Sequence, residues 1–193
     1  MLTIDLIDMG LPKAHRYLLG AVGPRPICFA STVDEKGVPN LAPFSFFNVF
    51  SSNPPIAVFS PSRSGRTGAH KDTYNNVKKV NEVVINLVDY SMVEQMSLAS
   101  SPYGPEVDEF IKSGLTPIES ETIKPFRVKE SPVQLECKVI EVKELGEEGG
   151  SGNLIICKIL RMHVSDHILD DNQMIDQEKI CLLYTSDAAD DVL

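Results

Sequence analysis

The stretch "GPRPICFASTVDEKGVPNLAPFSFFNVFSSNPPIAVFS", Gly23 to Ser60, decides how the chain is read. "PRPICFASTV" is apolar with β-branched ends, the composition of a strand. "DEKG", Asp34 to Gly37, is a turn, and "VPNLAPFSFFNVF", Val38 to Phe50, resumes extended structure. Two strands about a short glycine-containing turn make a hairpin. "SSNPP" breaks the chain again before "IAVFS", Ile56 to Ser60, a further buried strand. At the head of the stretch Gly23 and Arg25 each precede a proline, which pushes them toward extended geometry. Arg25 is therefore held at a stiff strand entry, where it serves either as an edge-strand start or as a fixed side chain committed to one face.

Outward from this stretch the pattern changes and then returns. Asp72 or Thr73 is expected to cap a short helix over "TYNNVKKV", and "EVVINLV", Glu82 to Val88, is a strand. Ser91 and Glu94 have the spacing of a capping box ahead of a second helix. "EVDEFIKSG" reads as a third helix ending at Gly114. "VQLECKVIEVKEL" alternates with period two, "GEEGGSGN" turns, and "LIICKILRMHV" pairs back as a hairpin. Strands with helices inserted between them, without strict alternation, predict a mainly β domain, a barrel with helical insertions, over residues 1–180. The last residues, "CLLYTSDAADDVL" (Cys181 to Leu193), do not continue the strand pattern. They resemble a translated sequencing-adapter tail and are expected to stand outside the fold, as an artefact or a disordered tail.

The chain has 193 residues, 42% of them hydrophobic, and a formal net charge of -9. Such an acidic balance argues against nucleic acid as a partner. No apolar run approaches the length of a membrane span, and the N-terminus lacks the basic region of a signal peptide. The four cysteines, Cys28, Cys137, Cys157 and Cys181, form no C-x-x-C motif. Reduced thiols and a cytoplasmic location are the expectation.

Against the acidic background, "SRSGRTGAHKDTYNN", Ser62 to Asn76, gathers Arg63, Arg66 and Lys71 among hydroxyls and glycines just before a helix start. Guanidiniums, an ammonium, Ser and Thr donors and a positive helix end each suit a phosphate. A solvated surface loop is the competing reading, and the P-loop pattern is absent. "NLAPFSFFN", Asn40 to Asn48, sets Ser45 and Asn48 among Phe44, Phe46 and Phe47. Such an apolar wall with a few fixed polar groups suits a planar heterocycle, or else is plain core. His163 and His167 flank Asp166 at a spacing that binds metal on a helix, but they continue a β pattern, so no metal is expected. A G-x-S-x-G elbow is missing, and no catalytic side chain is assigned.

Taken together, the opening stretch and "KDTYNNVKKVNEVVINLV", followed in order by "SPYGPEVDEF", "SPVQLECKV" and "HVSDHIL", resemble the flavin reductase-like proteins of the FMN-binding split-barrel superfamily. The resemblance runs from about Gly20 to Lys179. It implies a Greek-key-like split barrel, a homodimer, and FMN held non-covalently near the subunit interface. By this likeness Ala30, Ser31 and Thr32, with Ser45, Phe46, Phe47 and Asn48, would line the flavin ring and ribityl chain. The loop from Ser60 to Asp72, with Lys71, Asp72 and Thr73, would meet the phosphate, and Arg25 would be a conformational or flavin-side residue. Members typically end in an Arg-Gly-containing aromatic segment, which the adapter-like residues replace here. The implied activity is hydride transfer from NADH or NADPH to FMN and on to a diffusible flavin, an oxygenase or another acceptor protein. The alternatives are a flavin-binding electron carrier without its own nicotinamide site, and a non-redox ligand-binding barrel.

Overall fold

The computed structural model describes residues 1–104 and 106–185. Its frame is a seven-stranded antiparallel sheet in the spatial order β3-β2-β6-β9-β10-β5-β4. The strands are β2 (Cys28–Val33), β3 (Pro39–Phe44), β4 (Phe47–Ser52), β5 (Pro55–Phe59), β6 (Glu82–Asn86), β9 (Val133–Glu144) and β10 (Asn153–Val164). Short pairs flank it: β1 (Arg25–Pro26) with β11 (Tyr184–Thr185), and β7 (Pro117–Ile118) with β8 (Arg127–Val128). The helices are α1 (Leu11–Ala21), α2 (Asp72–Val80), α3 (Val93–Ala99) and α4 (Glu109–Ser113).

One connection makes this sheet a barrel. Strands β3 and β4 lie at opposite edges of the sheet, yet only Ser45 and Phe46 separate them in the chain. The step from Phe44 to Phe47 spans at most about 11 Å, whereas a flat sheet of this width measures about 29 Å across. The edges must therefore curl together. They meet at this corner, a seam without ladder pairing. Phe47 N–H donates to Ser45 O (3.0 Å) within the link, and Ser60 N–H donates to Phe46 O (2.9 Å), which carries the β4–β5 pairing one residue further. The long extended segment expected over Val38 to Phe50 is thus two strands broken at Ser45–Phe46.

Period-two alternation explains the apolar run of β2, which is buried on both faces. Cys28 and Ala30 point into the barrel with Phe59, Ile85, Leu135, Cys137, Ile155 and Cys157. Phe29 points outward to a second cluster with Leu41, Met92, Met96, Phe110 and Val128, covered by α3 and α4. All four cysteines are free thiols. Burial, and then their mutual proximity, pushes Cys28 well above the ordinary thiol range, and burial raises Cys157 to about 12. These are packing residues.

The helix starts differ from the expected caps. Lys71, in extended geometry, precedes α2, and no side chain caps it; Asp72 is the first helical residue. Ser91 does not cap the second helix either. Asp89 Oδ1 accepts from Ser91 N–H (3.0 Å) and Ser91 O–H (2.5 Å), which starts a 3-10 turn running into α3. Helix α4 ends at Gly114 as expected, in left-handed geometry (φ 73°), but starts later than Glu106: the Asp108 carboxylate accepts from Phe110 N–H (2.8 Å).

The first residues of the segment from Cys181 make backbone contacts in the structure. Tyr90 N–H donates to Cys181 O (3.3 Å), Leu183 N–H donates to Val88 O (2.8 Å), and Tyr184 and Thr185 pair with Pro26 and Arg25. Leu183 also packs on the outer apolar cluster. Any β-capable segment satisfies an open backbone edge through main-chain groups alone, so an unusual sequence is no bar to docking there. Residues 186–193 lie outside the described residues.

Candidate functional site

The seam is also where the surface opens. An open cleft of about 110 Å³ lies between the β3–β4 connection and the loop after β5. The connection supplies Ala42 to Phe46; the loop supplies Ser60, Ser62, Arg63, Ser64, Gly65 and Lys71; α1 adds His15. Five of the residues singled out in the sequence, Ser45, Phe46, Ser60, Arg63 and Lys71, thus share one cleft.

Arg25 stands one layer behind. Its buried guanidinium donates through Nη1 to Leu19 O (2.9 Å) and also to Val22 O, the last carbonyls of α1. Its Nε lies 3.4 Å from Ser45 Oγ, and its charge sits 5.9 Å from the centre of the Phe46 ring. The "PRP" entry therefore ties α1 to the cleft wall, because the end of a helix leaves carbonyls for a cation to satisfy.

The remaining predicted residues do not line the cleft. Ala30, Ser31 and Thr32 are fully buried in β2. The Thr32 hydroxyl accepts from Asn40 Nδ2 (3.2 Å) and Asn76 Nδ2 (3.1 Å). Phe47 packs on the barrel core. Asn48 is exposed and accepts from its neighbour Val49 N–H (2.8 Å). Arg66 is exposed at the loop tip. Thr73 is buried and accepts from Asn40 Nδ2 (3.0 Å). Asp72 faces a different cavity beside Asn40, Asn76 and Glu109. A one-residue step reverses the face presented in a strand and turns it by about 100° in a helix, so neighbours in one motif point to different surroundings.

The cationic loop is braced from outside the motif. Arg63 N–H donates to Ser151 O (2.9 Å) and Arg63 O accepts from Gly150 N–H (3.0 Å), which pins the loop to the β9–β10 hairpin. Gly150 adopts φ 83°, and at Gly152 a Cβ would come within 2.7 Å of Ser60 Oγ, so the glycine-rich turn is what permits this close approach. Arg63 Nη2 donates to Glu144 Oε2 (2.8 Å) and Nη1 to Gly68 O (3.1 Å). Tyr74 O–H donates to Glu144 Oε1 (2.5 Å), and His70 stacks on the Tyr74 ring at 3.7 Å. Desolvation and the Glu144 hydrogen bond push Tyr74 up to about 12. The same bond, then that of Arg63, lowers Glu144. By contrast, Lys71 makes no ion pair among the described residues. The Gly65 and Arg66 amides have no intramolecular acceptor there.

Comparison with known proteins agrees with this architecture. The sequence model described as the flavin reductase like domain matches residues 21–190. The chain belongs to that family. An uncharacterized protein of Aquifex aeolicus is 38% identical over 165 residues, 86% of this chain and 82% of its own. The crystal structure of nitrilotriacetate monooxygenase component B from Bacillus cereus is 32% identical, with a TM-score of 0.88 over 95% of this chain and 91% of that one. A split barrel domain protein from Shewanella frigidimarina shares the fold at 24% identity, with a TM-score of 0.78 over 93% and 87% of the two chains. The fold is thus the split barrel of the flavin reductase-like proteins.

Two features of this family member were not found from the sequence. Helix α1 went unread, although Leu11, His15 and Leu19 recur at helical spacing with a proline in the first turn. With it went His15, whose ring meets Phe46 edge-on at 6.4 Å. His163, read as a weak metal candidate, instead lies 2.8 Å from Glu136 Oε1. No group of three metal-type side chains is gathered among the described residues. Among the described residues no helix is long and apolar enough to cross a membrane.

Proposed function

We propose that the protein is an FMN-binding oxidoreductase, an NAD(P)H:flavin reductase whose cofactor occupies the seam cleft. One observation carries this: a single cleft combines an aromatic wall, Phe46, with the uncommitted Lys71 ammonium and the Ser62 and Ser64 hydroxyls. The donor set fits the group. A phosphate dianion takes charge-assisted hydrogen bonds from ammonium, hydroxyl and free amide groups, and a planar ring takes the face or edge of an aromatic side chain. Lys71, Ser62, Ser64 and the Gly65 amide would hold the phosphate, while Phe46, braced by Arg25, and His15 would flank the ring. FMN, when bound, supplies hydride acceptance and onward electron transfer. The chain's own residues bind, orient and shield, which agrees with the lack of an assigned acid or base.

The experiment is direct. Purified protein, reconstituted with FMN, should be yellow, and anaerobic NADH or NADPH should bleach it. Retention of colour with both nucleotides would leave an electron carrier reduced by another protein. Failure to retain FMN would leave the non-redox reading. Likeness to a monooxygenase component supports an oxygenase as the downstream acceptor, and the soluble, reduced-thiol character of the chain supports a cytoplasmic setting.

A homodimer completes the proposal. Strand β4 is an edge of the sheet and exposes Val49 (51%) and Phe50 (69%) beside the cleft. Exposed edges of this kind favour pairing with another chain. Phe50→Asp is expected to convert a dimer to a monomer in light scattering and to weaken FMN retention with it. An unchanged mass would place any subunit contact elsewhere.

A further inference from the structure

Three cations, Arg63, Arg66 and Lys71, share one loop in an acidic protein, and the structure distinguishes where they stand. Resting on the FMN reading above, we propose that Arg63 is a positioning residue that shapes the loop, and that Lys71 is the cation that meets the phosphate.

The Arg63 guanidinium is already committed. Its Nη2 is given to Glu144 at 2.8 Å and its Nη1 to the Gly68 carbonyl at 3.1 Å. Two of its five N–H donors are thus given inside the loop and hairpin, and Nε–H is buried, so it is not presented to solvent in the cleft. Its charge is matched by Glu144, and Glu144 is itself fixed on the other side by the Tyr74 hydroxyl at 2.5 Å, with His70 Nε2 3.8 Å away. The Gly68 contact closes the loop across Ser64 and Thr67, where Gly68 N–H donates to Ser64 O (2.8 Å) and Ser64 N–H donates to Ala69 O (2.9 Å). Arg63 thus ties three things together: the loop tip, the β9–β10 hairpin and the start of α2 through Tyr74. Lys71 occupies the residue just before α2, lines the cleft and has no carboxylate partner among the described residues. A helix start beside an uncommitted ammonium favours an anion. Arg66, exposed at the tip and not on the cleft wall, is left to solvent.

The two roles differ in their tolerance of a conservative change. A point charge survives exchange of Lys for Arg, while a two-point guanidinium fork does not survive exchange of Arg for Lys. The test is a titration of FMN and of riboflavin, which lacks the phosphate, into apo protein, followed by flavin fluorescence quenching. The thermal midpoint of each apo variant is measured alongside. Lys71→Ala should weaken FMN binding about tenfold or more, the loss of one charge-assisted contact, and leave riboflavin unchanged. Lys71→Arg should restore most of it. Arg63→Lys should fall as far as Arg63→Ala for FMN, and Glu144→Gln should follow in the same direction without any charge removed from the cleft wall. Riboflavin binding checks that each variant keeps its fold. If Arg63→Lys holds wild-type FMN affinity while Arg63→Ala loses it, Arg63 is a direct charge ligand and the assignment is overturned. If Lys71→Ala binds FMN as wild type does, the assignment also fails, with the FMN reading intact. Wild-type protein that binds neither flavin would remove the FMN reading itself, and this assignment with it.

Discussion

Glu136→Ala is expected to lower stability by roughly 3–5 kcal/mol, the cost of removing one partner from a buried charged network. Glu136 is fully buried, yet it is not in the barrel interior. It lies on the outer face of β9 beneath the chain around residues 119–127. Its carboxylate accepts from Glu121 N–H (2.8 Å), Thr122 N–H (2.7 Å) and Thr122 O–H (2.5 Å). His163 Nε2 stands at 2.8 Å and Arg127 Nε at 3.9 Å. Alanine would leave these donors and a cation facing a dry gap. Burial alone would raise the carboxyl, but the hydrogen bonds outweigh it and lower Glu136 from 4.5 to about 2. A depressed folded value stabilises the native state above the unfolded value. That contribution is fully present above pH 4.5 and is lost as pH falls toward about 2. Urea midpoints should therefore separate wild type from variant at neutral pH and converge in acid. A constant gap down to the acid limit would show that the loss comes from packing instead. Glu136→Gln, which keeps the shape and one acceptor, should fall between the two.

Arg25→Met is the second large effect. The substitution keeps an apolar stem of similar reach and removes the guanidinium. Two carbonyls at the end of α1 then lose their donor, and Ser45 loses its contact at 3.4 Å. Hydrogen bonds from a charged donor contribute about 1.5–3 kcal/mol each, and shared ones do not add fully, so a loss of roughly 3 kcal/mol is expected. The loss should be local in its signature. Trypsin should cut at Lys13 and Arg16 much faster than in wild type, while amide exchange in β6 and β9 changes little at fixed global stability. FMN retention should drop, because His15 and Phe46 are held through this anchor. Unchanged cleavage in α1 would refute the anchoring role.

These two residues also show what was legible. Arg25 was marked by its flanking prolines, which fix backbone direction locally, but its partners lie in a helix whose amphipathic spacing went unread. Glu136 sat in a clean alternating strand, and alternation places it on the face away from the barrel. Alternation does not say that another segment will cover that face, since the covering chain is irregular and carries no period. The barrel strands, the hairpins and the Gly114 end of α4 were legible because period two, turn residues and a glycine helix stop act over a few residues. The cleft was legible in part. Ser45, Phe46, Ser60, Arg63 and Lys71, singled out from the loop, the aromatic stretch and the family likeness, line one cleft, while Ala30, Ser31, Thr32, Asp72 and Thr73 lie off its wall. Glu144 and Tyr74 gave no local signal, because their partnership with Arg63 spans 81 and 70 residues of separation from Glu144.

The two-residue link between the edge strands has a mechanical consequence. A closed barrel cannot widen without breaking a ladder of hydrogen bonds. Among the described residues this one is laced between every pair of neighbouring strands except its two edges, β3 and β4, which are tied only through the Ser45–Phe46 link. Breathing motions are therefore channelled into one slot, and that slot is the cleft. A guest entering there spreads the wall at its least costly place, and on seating it acts as the missing stitch. Bound ligand should thus raise the melting temperature by joining the two edges, beyond what its own contacts with either edge alone would supply.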